Sequence, residues 1–372
     1  MKTLGLIVNP IAGMGGSVGL KGTDGELYKE ALNLGADPVT PRRTAAFLAH
    51  LEHRDEIRVL AAAGEMGARH VEGTGIDFTV VGEISDQTSP ADTRRIARQM
   101  MDRGAELLIF VGGDGTARDI YDAVGCQLPV VAVPAGVKVY SSAFALNPRA
   151  AADLVDAFVE GRGGGTPPVT EHEVLDIDEE AFRQDRLASK HYGYLLVPYA
   201  QRHLQHGKVA SSGSASVEEA KKEIAASVVE AMDDETLYLL GPGTTVRAIT
   251  EALELPKTLL GVDAVHDGEL IGEDLNERAI LDLFQEHKKR VIIVTPLGGN
   301  GFILGRGNKQ FTPQVLKETG ADHVRVVATR QKLQPLDCLR VDTGDVEVDE
   351  MLSGWRTVTV GYHESRMMKV EM

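Results

Sequence analysis

Cysteine, tryptophan and long apolar runs are scarce in this chain of 372 residues, which has two cysteines and one tryptophan. Cys126 and Cys338 are too far apart to form a metal cluster by themselves, and we expect both to be free thiols. No apolar run approaches the roughly 18–20 residues that cross a bilayer, and the run at residues 4–8 is too short for a signal-peptide core. We therefore expect a cytoplasmic protein without a membrane partner.

Basic residues are also few, because 39 Lys and Arg face 55 Asp and Glu and leave a net charge of −16. Such a surface repels nucleic acid and anionic lipid unless a basic patch is gathered locally, and the sequence has no long basic run. Nucleic acid is therefore not an expected partner. We expect a homo-oligomer that acts on small molecules.

Apolar runs alternate with helical segments in the first 140 residues. These runs predict strands at Leu4–Val8, Ile57–Ala63, Phe78–Val81, Leu107–Val111 and Val130–Val133. Alternation of strands and helices implies parallel pairing and right-handed crossovers. We predict an α/β protein whose N-terminal domain, residues 1–140, is a three-layer Rossmann-like unit with a parallel sheet.

The alternation resumes after residue 216. Further strands are predicted at Leu237–Leu240, Leu259–Val262, Val291–Val294, Val324–Ala328 and Thr357–Tyr362. We assign residues 141–372 to a C-terminal mixed α/β domain that binds the substrate, with its last strand free to pack back onto the first domain.

The motif Gly-Gly-Asp-Gly-Thr at residues 112–116 directly follows an apolar strand. Glycines let the backbone approach a phosphate and point amides at it, and the helix expected after Thr116 adds its positive end. Asp114 can accept a proton from a hydroxyl nucleophile or hold Mg²⁺. A tight turn is the structural alternative, although a turn needs fewer glycines.

A second glycine-rich loop, residues 9–16, follows the first strand. It is not a dinucleotide fingerprint, because Val18 stands where the third glycine would be, and it lacks the Gly-Lys-Ser/Thr of a P-loop. Taken alone, this loop suits either phosphate binding or a purely structural turn.

Loops with anion-binding composition also occur later in the chain. Gly241–Thr245 places amides and two hydroxyls at a predicted helix start, and Arg306 lies between glycines, where its guanidinium can form a fork with a phosphate or carboxylate. Asp342 and Asp345 suit Mg²⁺ or a plain turn equally well. The binding candidates outside the first two loops are Lys138, Gly241, Gly243, Thr244, Thr245, Gly299, Asn300, Arg306 and Asn308.

Asn-Pro-x-x-Gly after the first strand and Gly-Gly-Asp-Gly-Thr further along together resemble the superfamily of NAD kinases, diacylglycerol and sphingosine kinases, and phosphofructokinases. Within it the chain is most similar to the ATP-NAD kinase family, in the branch that includes the acetoin-catabolism protein AcoX. The resemblance implies ATP-dependent phosphorylation, with Mg²⁺, of the 2′-hydroxyl of NAD to give NADP. By resemblance, Asp114 is the base, and the nucleotide site comprises Asn9, Gly13, Gly112, Gly113, Gly115 and Thr116.

Some features depart from the family's pattern. The Asn-Glu pair that holds the dinucleotide in that family is not found near Asp114, because Asn276-Glu277 lies far along the chain and Glu171 and Glu173 lack the Asn. The sequence therefore leaves open a kinase of another small hydroxyl compound, a lipid kinase and a non-catalytic nucleotide sensor. An aromatic content of 5% and the lack of an evident amphipathic membrane helix count against the lipid kinase. NADH in place of NAD, and polyphosphate in place of ATP, also stay open.

Overall fold

The structure is a computed structural model that describes residues 1–20, 26–84, 88–136, 139–161, 168–177, 189–198, 215–258 and 260–372. The chain forms two compact units. The first comprises Met1–Met14, Gly22–Leu32 and Asp37–Gly207, and the second comprises Gly15–Lys21, Asn33–Ala36 and Lys208–Met372.

A five-stranded parallel sheet forms the centre of the first unit. Its strands are β1 (Lys2–Val8), β2 (Ile57–Ala62), β3 (Asp77–Val81), β4 (Leu107–Gly112) and β5 (Val130–Pro134). They lie in the order β3-β2-β1-β4-β5. Every residue of β4 and β5 is buried, because both faces of such a sheet are covered by other elements. The five strands predicted in this region are confirmed.

Helices connect these strands. They are α1 (Glu26–Asn33), α2 (Thr40–His50), α3 (Ala68–Val71), α4 (Pro90–Asp102), α5 (Asp114–Val124) and α6 (Pro148–Glu160). Ser89 and Asp92 form a capping box at the start of α4, and Asn147 caps α6 by accepting from the Ala150 amide. α4 packs against α5, and α2 packs against α6.

An antiparallel hairpin extends the first unit beyond the boundary expected from the sequence. It consists of β6 (Val169–Ile177) and β7 (Ser189–Pro198), and it contacts α5 and β5. A Cβ atom at Gly193 would lie 2.3 Å from the Tyr121 ring, so only glycine allows this close packing on α5. The first unit therefore continues past residue 140, because α6 and the hairpin pack onto its sheet and helices.

The second unit contains a nine-stranded mixed sheet. Its strands are β8 (Leu237–Leu240), β9 (Asp263–His266), β10 (Glu269–Gly272), β11 (Arg290–Val294), β12 (Phe302–Leu304), β13 (Val324–Val327), β14 (Leu339–Val341), β15 (Gly354–Gly361) and β16 (Glu364–Glu371). They lie in the order β10-β9-β8-β11-β13-β15-β16-β14-β12. The helices are α7 (Ala215–Glu230), α8 (Thr244–Ala252), α9 (Glu277–Glu286), α10 (Pro313–Thr319), α11 (Arg330–Leu333) and α12 (Val346–Leu352).

Two strand predictions for this half need correction. The strand expected at Leu259–Val262 begins instead at Asp263, and Leu259 lies outside the described residues. Asp263 is fully buried because it pairs with Lys257 and accepts from the amide and hydroxyl of Thr258, a polar arrangement that an apolar run does not reveal. The final predicted strand, Thr357–Tyr362, overlaps β15, which ends at Gly361 and leaves Tyr362 in the following turn, and β15 pairs with β13 and β16 in the second sheet.

Candidate functional site

The two glycine-rich loops of the first unit meet at the carboxyl edge of its sheet. β1 and β4 are parallel neighbours, so the loops that follow them start side by side. The Asn9 amide donates to Val111 O over 2.9 Å, and Asn9 Nδ2 donates to Thr116 Oγ1 over 3.0 Å. Gly13, with φ of +82°, turns the first loop through the left-handed region. This edge of a parallel sheet is where ligands bind in such folds.

The Gly-Gly-Asp-Gly-Thr motif runs from the end of β4 into the first turn of α5. Gly113 is the N-cap of α5 and has no side chain to cap the free amides of the first turn. A Cβ at Gly112 would lie 2.3 Å from Thr116 Oγ1, so glycine is required there, whereas the nearest atom to a Cβ at Gly115 is 3.5 Å away. The motif thus combines a tightly packed turn with an open helix N-terminus that attracts anions.

Asp114 is buried and accepts three hydrogen bonds from residues that the sequence analysis missed. Its Oδ1 accepts from the Ser141 amide and from Ser141 Oγ, over 3.0 and 2.6 Å, and its Oδ2 accepts from the Tyr140 amide over 2.8 Å. Burial raises the pKa of this carboxyl, whereas the hydrogen bonds and the nearby Arg118 act in the opposite direction. Asp114 therefore fixes the backbone of residues 140–141.

Two buried serines connect this segment to the hairpin. Ser141 Oγ, which donates to Asp114, accepts from the Leu175 amide over 3.0 Å. Ser142 Oγ accepts from the Glu173 amide, and the Ser142 amide donates to Glu173 O. A continuous set of hydrogen bonds therefore runs from Asp114 to β6.

Loops in the second unit form another carboxyl edge. β8 and β11 are parallel neighbours, and the Gly241 amide donates to Ile293 O over 2.9 Å. Gly243 is the N-cap of α8 with φ of +119°, and a Cβ at this position would lie 2.7 Å from Thr295 Cγ2. Of the two threonines that open α8, Thr244 is exposed and Thr245 is buried. The loop predicted at residues 241–245 thus lies against the start of the loop after β11.

Arg306 has protein partners of its own. Its Nε and Nη2 each lie 3.4 Å from Asp342 Oδ2, and its guanidinium lies over the Phe302 ring at 4.3 Å from the centroid. Its side chain is only 12% exposed, so a ligand at this position would meet a guanidinium already paired with a carboxylate. In the same region Asn300 O accepts from Arg340 Nη1 within a turn that includes Gly299, and Asn308 Nδ2 donates to Ile303 O.

Several candidate ligands have structural roles instead. Asp345 caps α12 by accepting from the Val348 amide, and Asp349 accepts from the amide and hydroxyl of Thr343, which favours the turn over the Mg²⁺ site. Asn276 caps α9, and Glu277 accepts from Thr312 Oγ1. These contacts explain the two side chains without a dinucleotide.

Lys138 lies outside the described residues. In the ranges that the structure covers, no three His, Cys, Asp or Glu side chains are grouped to hold a metal ion, and no helix is long and apolar enough to cross a membrane. Cys126 and Cys338 are free thiols, as expected. A cavity of about 380 Å³ is lined by α7, the start of α11 and the adjoining ends of β15 and β16, and none of the predicted site residues lines it.

A parallel sheet with two glycine-rich loops at adjacent strand ends defines a Rossmann-like α/β unit. Residues 4–163 match the ATP-NAD kinase N-terminal domain, and residues 233–370 match the ATP-NAD kinase C-terminal domain. The chain belongs to the ATP-NAD kinase family.

Solved structures give weaker similarities. A diacylglycerol kinase from Bacillus anthracis str. Sterne matches at 13% identity and a TM-score of 0.21, over 48% of this chain and 46% of that one. A second chain from the same organism, assigned provisionally as a diacylglycerol kinase, matches at 15% identity and a TM-score of 0.20 over the same shares. The chain thus spans about half the length of these structures. No curated protein matches it.

Proposed function

We propose that the protein transfers a phosphoryl group from ATP to the 2′-hydroxyl of NAD, forming NADP. The observation that carries this proposal is the position of the Gly-Gly-Asp-Gly-Thr motif. It lies at the carboxyl edge of the first sheet, hydrogen-bonded to Asn9, in a chain of the ATP-NAD kinase family. In phosphoryl transfer the protein mainly positions the reactants and stabilises their charge.

The first turn of α5 is suited to hold phosphates. Its amides are open at Gly113, and Gly115 leaves space beside the backbone. Mg²⁺ in kinases is held largely by substrate phosphates and water, with few protein carboxylates. When bound with the nucleotide, Mg²⁺ would neutralise phosphate charge there.

Asp114 has the geometry of a general base with restricted access. An ionised carboxylate offers about four lone-pair positions. Three of them accept from Tyr140 and Ser141, which leaves one, on Oδ2, for a substrate hydroxyl. Burial raises the pKa of Asp114, and a higher pKa makes the carboxylate a stronger proton acceptor. The three fixed donors hold it in one orientation.

A second candidate acceptor is another small hydroxyl compound, as in the AcoX-like branch. The observation that favours it concerns Asn276 and Glu277. Asn276 caps α9, and Glu277 accepts a hydrogen bond from Thr312 Oγ1. We therefore do not assign this pair the role of the family's dinucleotide-binding Asn-Glu pair. The phosphoryl transfer and the role of Asp114 would be the same for this acceptor. The expected homo-oligomer stays a prediction.

The decisive experiment is an incubation of the full chain with Mg²⁺, a phosphoryl donor and a panel of acceptors, read by mass spectrometry for the gain of one phosphate. ATP and polyphosphate serve as donors, and NAD, NADH and small polyols serve as acceptors. NADP formed from NAD and ATP supports the proposal, and exclusive phosphorylation of another compound supports the second candidate. The exposed Asp102→Asn variant is the matched control for Asp114→Asn and should keep full activity.

A further inference from the structure

Three loops converge at the carboxyl edge of the second sheet. A Cβ at Gly243 would lie 2.7 Å from Thr295 Cγ2, so the methyl group of Thr295 packs on the start of α8 and its hydroxyl lies on the same side chain beside it. A Cβ at Gly241 would lie 3.3 Å from the Phe311 ring, and one at Gly307 would lie 2.9 Å from Leu297 Cδ1. The loops after β8, β11 and β12 therefore pack directly on one another.

Two of the buried polar side-chain atoms in these loops, Thr295 Oγ1 and Asn308 Oδ1, have no hydrogen-bond partner in the described part of the chain. Each of these residues is only 1% exposed. Asn308 donates from its amide nitrogen to Ile303 O, which holds the side-chain amide in place while its oxygen stays unpaired. Buried polar atoms are rarely unpaired, because each one costs free energy that a ligand can recover.

The neighbouring helix end favours a negatively charged ligand. α8 has nine residues, and Gly243 has no side chain to cap its first amides. These amides are hydrogen-bond donors beside Thr295, whose hydroxyl is a further donor, and the helix dipole adds positive potential at the helix end. Asn308 Oδ1 is an acceptor, which suits a hydroxyl near the charged group. Amides, a hydroxyl and an acceptor are suited to a phosphate with an adjacent hydroxyl.

We propose that the N-terminus of α8, Thr295 and Asn308 form a second phosphate-binding site made entirely by the second unit. Its ligand is the phosphate group of a small hydroxylated molecule. The phosphate site itself is independent of the proposed function. The identification of its ligand as the donor nucleotide or the acceptor of the kinase reaction rests on the proposed function. Thr295 is covered in the free chain, so we expect binding to move the exposed Gly298 turn.

The site can be tested by methyl NMR of threonine in the full-length protein, titrated with inorganic pyrophosphate. Saturable shifts of Thr244, Thr245 and Thr295 are expected, and potassium chloride at equal ionic strength should not produce them. Thr116 reports the first unit in the same spectrum. Shifts confined to Thr116, or equal shifts with chloride, would overturn the proposal.

A pair of isosteric variants separates a binding hydroxyl from a structural one. Thr295→Val should weaken pyrophosphate about tenfold or more, since a hydrogen bond to a charged group is lost, without lowering Tm. The matched control is Thr319→Val. Its buried hydroxyl donates to Val315 O, so this variant should lower Tm and keep pyrophosphate affinity. A Thr295→Val protein with lower Tm and unchanged affinity would show that the hydroxyl is structural and refute the site.

The source of the phosphate is decided by two further titrations, with a non-hydrolysable ATP analogue and with NAD. The compound that shifts the Thr295 methyl resonance and competes with pyrophosphate is the one whose phosphate occupies the site. If neither does so while pyrophosphate binds, the phosphate belongs to another acceptor. NADP formation is measured separately, so pyrophosphate binding without NADP would reject only the proposed function.

Discussion

Replacing Asp114 with asparagine changes the charge of a buried group while keeping its shape. Three donors face the carboxylate, two from Ser141 at Oδ1 and the Tyr140 amide at Oδ2. An asparagine has one oxygen, which can accept from Ser141. Its NH₂ group would then face the Tyr140 N–H, so two donors would oppose each other and the remaining contacts would lose their ionic component.

The magnitudes follow from these contacts. A buried donor left without an acceptor costs about 1–3 kcal/mol. Loss of a general base slows a reaction about 10²–10⁴-fold. We therefore expect Asp114→Asn to lower kcat by two orders of magnitude or more and to lower the free energy of unfolding by about 1–3 kcal/mol.

The assay combines initial rates of phosphorylated product with urea unfolding of the same preparations. Ser141→Ala is the matched comparison, because it removes one donor and keeps the carboxylate, so it should lose stability but retain much more activity. An Asp114→Asn enzyme with the wild-type rate would refute the role of base. An unchanged unfolding free energy would refute the inference that these hydrogen bonds hold residues 140–141.

Three further perturbations test other parts of the structure. Hydrogen bonds to Glu56 and Glu160 raise the pKa of His53 above its ordinary value of 6.5. The stabilisation by protonated His53 is therefore present below pH 6.5 and is lost as the pH rises through the folded-state pKa. In urea unfolding, His53→Gln should lower the free energy of unfolding more at pH 6 than at pH 8, and an equal loss at both pH values would contradict this. Lys257→Met should lower the free energy of unfolding by about 3–5 kcal/mol, because it leaves the buried carboxylate of Asp263 without its cation. An unchanged free energy of unfolding in urea would contradict this. Arg306→Ala should destabilise the protein more than Arg306→Lys, which keeps a charge near its partner carboxylate, and equal melting temperatures would show that this pair contributes little.

The central strands could be predicted from the sequence because burial on both faces produces continuous apolar runs. Strands without that pattern were missed. Phe302–Leu304 and Leu339–Val341 have three residues each, too few for a periodic signal. Glu364–Glu371 is mostly exposed, with buried residues only near its end, and the hairpin Val169–Pro198 carries many polar residues. Their positions depend on pairing with distant strands rather than on local pattern.

The candidate site was predictable only in part for a similar reason. Glycines beside Asp114 and the Asn9 loop have a recognisable composition, and the parallel sheet brings them together. The groups that bind Asp114 are mainly backbone amides of residues 140 and 141, and any residue type except proline supplies such an amide. The unpaired hydroxyl of Thr295 likewise depends on what its neighbours leave unbonded, which only coordinates reveal.

The order of segments along the chain limits how this protein can be recombined with its relatives. Gly15–Lys21 and Asn33–Ala36 belong to the second unit, yet segments of the first unit precede, separate and follow them. Gly16 packs on Lys309, and Ser17 O accepts from the Glu277 amide, so the early segment is joined to residues 293 and 260 positions away. The two matched family domains, in contrast, form consecutive blocks. A chimaera with a single junction between the two family domains would take the early segments of the second unit from one parent and the rest of that unit from the other. A chimaera that exchanges one complete unit needs a junction at each boundary between the interleaved segments.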